Sequence, residues 1–294
     1  MKLKNKIAII TGSTRGFGYA IAEKFIEEGA SVVICGRNTV QVQNSVTKLI
    51  ERQLIKNQII IGIPIDLSLY YGANLLVDKV IKEFGKIDIL VNNAGIYGAK
   101  GSVDCDRFDY IDEWIKTIEI NLISVFKMCH YTLPYMKLQK SGKIINLSGG
   151  GATSPLPNLS AYAASKTAIV RLTETMANEC KDYNIDINAL APGALNTRLL
   201  DEILEAGEAI VGKKFYEKAL KQKQTGGTPL HLGVELCTFL ASKESDGISG
   251  KLISAPWDKW KDLPNHFDEL MNSDIYTLRR ITAKDRNKNW DVQE

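Results

Sequence analysis

Short apolar runs rich in β-branched residues recur along the chain at Lys6–Ile10, Ser31–Cys35, Gln58–Ile63, Ile87–Val91, Lys143–Leu147, Ile185–Leu190 and Leu252–Ser254, each bounded by turn residues. Between them lie stretches with an amphipathic pattern, at Tyr19–Glu28, Leu75–Phe84, Trp114–Met136, Ala161–Lys181 and His231–Ala241. Strands that are almost continuously apolar, alternating with such helices, predict an α/β fold: a doubly wound, mostly parallel seven-stranded sheet with helices on both faces. No repeat or Pro/Gly/Ser-rich linker breaks the alternation, so residues 1–255 read as one domain and 256–294 as a C-terminal extension. The extension carries Trp257, Trp260 and Trp290 among many charges, together with the helix-like stretch HFDELMNSDIYTLRRI. Three tryptophans are costly to leave in water, which predicts an ordered segment packed on the domain or at a subunit interface.

Composition adds exclusions. The net charge of +3 arises from 37 basic and 34 acidic residues spread along the chain, which gives no electrostatic ground for nucleic acid or an anionic membrane as partner. Cys35, Cys105, Cys129, Cys180 and Cys237 are scattered, and the histidines are His130, His231 and His266, so neither a disulfide framework nor a metal cluster is suggested. The apolar run in MKLKNKIAIITG is too short for a secretion signal, and no segment approaches the roughly 18 apolar residues of a membrane span. A cytoplasmic location is the expectation.

The chemistry begins at TGSTRGFG, Thr11 to Gly18, which follows the first strand and opens a helix. Gly12 permits a tight turn, Gly16 and Gly18 let backbone approach a pyrophosphate, and the helix N-terminus directs free N–H groups at the anion. Ser13, Thr14, Arg15 and Phe17 complete this expected dinucleotide-binding turn. After the second strand an Asp or Glu would suit a cofactor without the 2′-phosphate, but the chain has Gly36 and Arg37, with Arg15 as a second cation. A guanidinium matches phosphate geometry, so NADP is expected, with NAD as the alternative.

Near the middle, LSGGGATSPLPNLSAYAASK places Tyr162 and Lys166 at i and i+4, on one face of a helix. With NNAG at Asn92–Gly95 and PG at Pro192–Gly193, in that order and spacing, the chain resembles a short-chain dehydrogenase/reductase over about Lys4 to Ser254. The resemblance implies a Rossmann-type fold and an NAD(P)-dependent oxidoreductase that interconverts a secondary alcohol and a ketone. It implies that Asp66, with Leu67 beside it, meets the adenine, that Asn92, Asn93, Ala94 and Gly95 line the cofactor, and that Thr197 beyond Pro192 and Gly193 holds the carboxamide. Asp66 could instead cap the following helix, and Asn92–Gly95 could be a strand-ending turn. Lys166 would bind the nicotinamide ribose, Asn121 would hold a relay water, and homodimers or homotetramers would form through the long helices.

A tyrosine can move a proton near neutral pH only if its pKa falls from about 10, a task for the Lys166 ammonium and a positively charged nicotinamide ring. The resemblance also implies a serine thirteen residues before Tyr162, to hydrogen-bond the substrate oxygen. That position is Gly149. Ser148 is the nearest hydroxyl, although alternation along a strand would turn it to the other face, and Thr153 or Ser154 could reach inward instead. Losing one such donor costs about 2.7–4 kcal/mol of transition-state stabilisation, which slows the chemistry without removing it. The glycines could also make room for a bulky or highly hydroxylated substrate.

The segments 97–112 and 198–228 are long and charged, the second a lid, and they suggest a small polar substrate such as a sugar, polyol or cyclitol. Two other readings stay open: a catalytically silent dinucleotide-binding sensor or assembly protein, on the strength of Gly149, and a sugar-nucleotide epimerase or dehydratase.

Overall fold

The computed structural model of the chain describes residues 1–290; the end of the C-terminal extension, 291–294, lies outside the described residues. The strands are β1 (Ile7–Ile10), β2 (Ser31–Gly36), β3 (Ile60–Pro64), β4 (Ile89–Asn92), β5 (Gly142–Leu147), β6 (Ile185–Ala191) and β7 (Leu252–Ser254). The helices are α1 (Gly16–Glu27), α2 (Thr39–Ile50), α3 (Gly72–Phe84), α4 (Tyr110–Ile118), α5 (Ser124–Gln139), α6 (Ser160–Glu179), α7 (Arg198–Ala206), α8 (Glu208–Val211), α9 (Lys213–Thr225), α10 (Leu230–Ala241) and α11 (Phe267–Met271).

The strands form one seven-stranded sheet in the order β3-β2-β1-β4-β5-β6-β7, with every pairing parallel. Helices cover both faces, which is why the strands read as unbroken apolar runs. Side-chain alternation along β1 divides the core: Ala8 and Ile10 join the cluster holding residues of α1 and α10, while Ile7 and Ile9 join the one holding residues of α3, α5 and α6. The chain winds outward from β1 to β3 and then crosses back to β4, so the carboxyl ends of β1 and β4 flank a crevice at the switch point.

Two features depart from the sequence pattern. The stretch expected as one helix at Trp114–Met136 starts earlier, at Tyr110, and is interrupted by a π-helical turn, Glu119–Ile123, that contains Asn121. Such turns frequently lie at functional sites. The charged segment 198–228 is not an irregular loop: it folds as α7, α8 and α9.

The extension packs against its own chain. Trp260, Leu263 and Leu270 join the core cluster, and the Trp260 ring lies 5.4 Å from that of Phe239. Beyond α11 the backbone follows the outer edge of the sheet, where the Tyr276 carbonyl accepts the Leu252 N–H at 2.8 Å. The Lys251 ammonium donates to the carbonyls of Ser273 and Ile275, both at 3.0 Å, and Glu174 of α6 accepts the Leu278 N–H at 2.6 Å. These contacts explain why the helix-like stretch is helical only at Phe267–Met271: its later polar groups satisfy the sheet edge and α6 instead. Trp257 and Trp290 remain exposed.

No helix among the described residues is long and apolar enough to cross a membrane, and no group of three or more metal-ligating side chains occurs among them.

Candidate active site

The glycine turn after β1 and the NNAG segment after β4 are built against each other. Gly12 has φ +61°, and a Cβ there would lie 2.9 Å from Ala94 Cα, so glycine is required on both counts. Thr11 Oγ1 accepts the N–H groups of Asn93 and Ala94 at 2.9 and 3.0 Å. Asn93 Nδ2 donates to the carbonyls of Thr11 and Gly12 at 2.8 and 3.0 Å. Asn93 therefore fixes the turn through its amide nitrogen, and Thr11 is a residue that reading the glycines alone passes over.

Other positions in the turn divide between support and access. Ser13 is buried, donates to the Ile10 carbonyl and accepts the Cys35 N–H, holding β1 to β2. The Thr14 methyl fits the space left by Gly36, and its carbonyl accepts the Ser45 hydroxyl. Phe17 is buried against Gly233. Gly18 is packed closely: a Cβ there would lie 2.4 Å from Asn93 Nδ2 and 2.7 Å from the Gly12 carbonyl, so the helix can lie against the turn only with glycine at this position. Gly16, by contrast, is exposed with φ +58°, and the nearest atom to a Cβ there would be Thr197 Cγ2 at 3.9 Å.

The residues present fit a dinucleotide. The α1 N-terminus has no side-chain cap, which leaves its N–H groups free for an anion. Arg15 and Arg37 are exposed beside it, with no ion-pair partner among the described residues. Asp66 does not cap α3; its carboxylate accepts the Ser68 N–H and hydroxyl, fixing the turn at the end of β3. Leu67 is buried in the core, so only its backbone could face a cofactor. Asn92 does not line the crevice: it is buried and donates to Asn146 Oδ1 at 2.9 Å.

Across the crevice, Gly193 has φ +89°, and the Ala194 N–H donates to Thr228 Oγ1 at 3.1 Å, tying the PG turn to the segment entering α10. Thr197 opens α7 without capping it through its side chain.

The chemistry-bearing side chains meet at the start of α6. Lys166 Nζ donates to the Leu147 carbonyl at 2.8 Å and lies 5.6 Å from the centre of the Tyr162 ring. A Cβ on Gly95 would lie 3.2 Å from Asn121 Oδ1 and 3.7 Å from Lys166 Nζ, so the NNAG backbone passes close to both. Asn121 Oδ1 accepts the Ile96 N–H at 2.9 Å, while Nδ2 donates to the Ile96 carbonyl at 2.8 Å and to Ser165 Oγ at 3.1 Å. With its side chain so occupied, a water-holding role for Asn121 falls to its backbone.

The position aimed at Tyr162 is Gly149: a Cβ there would lie 2.7 Å from the tyrosine oxygen. Ser148 is buried with its hydroxyl unpaired among the described residues, and Thr153 and Ser154 are exposed.

Tyr162 is itself buried, in an apolar cluster formed by Leu159 and the lid residues Leu200, Ile203, Val211 and Ala219, with Tyr97, Leu156, Phe215 and Tyr216 at its margin. Apart from Glu202, which is partly buried near Tyr97, the charges of the lid face outward, and its apolar stripe faces the tyrosine. Burial has an electrostatic consequence that the sequence did not suggest. It raises the Tyr162 pKa above the ordinary phenol value, with a smaller upward push from Tyr97, and lowers that of Lys166 to about 8. Lysine proximity alone therefore does not lower the phenol in this closed arrangement.

A glycine turn at a parallel-sheet switch point, with a helical tyrosine and lysine facing the same crevice, defines the class of dinucleotide-linked oxidoreductases. The short chain dehydrogenase family model matches residues 6–207, and the chain belongs to that family. It is 36% identical over 255 residues to a 3alpha-hydroxysteroid dehydrogenase of Mediterraneibacter gnavus, covering 86% of this chain and 96% of that protein. It is 34% identical over 258 residues to an NADP-dependent (R)-specific alcohol dehydrogenase of Lentilactobacillus kefiri, covering 85% and 94%. A crystal structure of NAD+-bound xylitol dehydrogenase superposes with a TM-score of 0.77 at 26% identity, over 86% of this chain and 98% of the other.

Proposed function

We propose that the chain is an NADP-preferring oxidoreductase that interconverts a secondary alcohol and a ketone, with Tyr162 exchanging a proton with the substrate oxygen. The observation that carries this reading is the convergence of Tyr162, Lys166, Gly95 and Asn121 at the carboxyl end of the sheet. A bound nicotinamide dinucleotide supplies the hydride acceptor for an alcohol or the hydride donor for a ketone. Tyr162 gives or takes the accompanying proton at its oxygen. Lys166 stays anchored to the Leu147 carbonyl, where its ammonium can hold ribose hydroxyls and favour the phenolate as a proton leaves. Asn121 keeps the Ile96 backbone and α6 in register. The lid excludes water from the phenol.

Arg37 and Arg15, exposed beside the glycine turn, support the NADP preference. The apolar lid face favours a substrate built on an apolar carbon frame over the sugar, polyol or cyclitol that the charges of the segment suggested. Self-association through α4, the π-helical turn and α5 fits the exposed Ile111, Ile115, Ile123 and Phe126. A screen of alicyclic alcohols and ketones beside polyols, with each cofactor, tests the reading. Turnover of an apolar ketone with NADPH, absent in Tyr162→Phe, is the expected result; activity that survives that substitution would overturn it.

A further inference from the structure

We infer that Tyr97 is a catalytic residue, its phenol O–H reaching the substrate oxygen beside Tyr162 and standing in for the side chain that Gly149 lacks. This deepens the preceding reading and rests on it. The backbone direction that points at the Tyr162 oxygen belongs to Gly149, which carries no donor, and a Cβ added there would already crowd that oxygen at 2.7 Å. Of the hydroxyls nearby in sequence, Ser148 sits one residue before the position so directed, and Thr153 and Ser154 are exposed. Tyr97 packs directly against the Tyr162 ring. Its ring centre lies 4.6 Å from that of Tyr162, with the planes inclined at 51°.

The placement of Tyr97 is built into the fold. It follows Gly95 by two residues, and both backbone polar groups of the intervening Ile96 are gripped by Asn121 in the π-helical turn. The ring is further held by the apolar cluster beneath the lid. Burial, and secondarily the Glu202 carboxylate, raise its pKa, so the phenol remains a donor at neutral pH. Two phenols side by side then offer one group to transfer a proton and a second to hold the oxygen in place.

The test uses the full chain loaded with NADP. Tyr97→Phe keeps the ring and its packing and removes only the donor, so a melting temperature equal to wild type shows an intact fold. The expected result is a fall in kcat of about 100-fold, at the modest end of the effect of removing one donor to a reacting oxygen, with KM changing much less. A second readout needs no turnover. Affinity for 1-methylcyclohexanol, a tertiary alcohol with no hydride to give, should fall by about three- to tenfold in Tyr97→Phe, the loss of one neutral hydrogen bond. Wild-type kcat and unchanged tertiary-alcohol affinity in Tyr97→Phe would overturn this inference alone. A wild-type chain with no turnover of any alcohol or ketone would overturn the reading it rests on as well.

Discussion

Gly149 and Tyr162 are fitted to each other: a Cβ on the glycine would lie 2.7 Å from the tyrosine oxygen but 3.8 Å, ordinary contact, from the ring carbon that bears it. The glycine is therefore not a serine simply lost from a finished site. The phenol oxygen lies close against the strand-end backbone, and restoring the serine must displace it. Gly149→Ser should lower stability by about 1–3 kcal/mol, the usual cost of overpacking, and should not raise kcat. Because the collision involves only the hydroxyl oxygen, Gly149→Ala in a Tyr162→Phe background should cost much less than Gly149→Ala alone. A double-mutant cycle by urea unfolding measures the difference, and additive losses would show that the two positions are independent.

Arg37 provides the second prediction. It is exposed at the end of β2 beside the N-terminus of α1, where a 2′-phosphate would be reached from the glycine turn. Arg37→Ala should weaken NADP binding by about 1.5–3 kcal/mol, the range for a charge-assisted hydrogen bond, and leave NAD affinity nearly unchanged. Calorimetric titration with both cofactors checks this. Equal losses for the two would mean that the arginine only covers the adenine.

Lys166 links the site to stability. Burial lowers its pKa from the ordinary 10.5 to about 8, so between those values the unfolded chain holds a proton that the folded chain has released. Stability rises with pH wherever the unfolded state binds more protons, so this lysine contributes an increase between about pH 8 and 10.5. Cys35, Cys129 and Cys237 act in the opposite direction above the ordinary thiol value, because burial raises their pKa in the folded chain. The comparison must therefore be between chains. The stability difference between Lys166→Met and wild type should be largest near pH 7 and shrink as pH approaches 10. A difference that stays flat would show that the ammonium is solvated in the folded chain.

The sheet was legible because parallel strands buried on both faces leave unbroken runs of Ile, Val and Leu, and the observed strands lie within about two residues of those runs. Helix α2, TVQVQNSVTKLI, escaped because its buried face rests on Val42, Ser45, Val46 and Leu49 amid polar neighbours. In the lid, charge masked an apolar face that was present: Leu200, Ile203, Val211 and Ala219 form the inner stripe, while the lysines and glutamates around them suggested a small polar substrate. Because that stripe was hidden, so was the apolar environment it gives Tyr162. Tyr97 was hidden for a different reason. Its importance depends on two segments meeting, and a single tyrosine in a loop carries no local sign of the ring it will face.

The C-terminal extension gives the last prediction, which turns on where the chain is cut. Trp260, Leu263 and Leu270 are buried in the main core cluster, and burying a large apolar side chain contributes about 1.5–3 kcal/mol. Removing all residues after Ala255 discards all three, a loss comparable to the roughly 5–15 kcal/mol by which a domain is stable, so that truncation should yield little folded protein. A cut after Asn272 keeps those side chains but removes the Tyr276 carbonyl from the Leu252 N–H and both carbonyls from the Lys251 ammonium. That chain should fold with a lower melting temperature and expose the edge of β7, whose unpaired backbone groups invite pairing with another chain. Light scattering should therefore show concentration-dependent association beyond that of the full chain. A shorter chain of unchanged mass and melting temperature would show that residues 273–290 protect neither the edge nor α6.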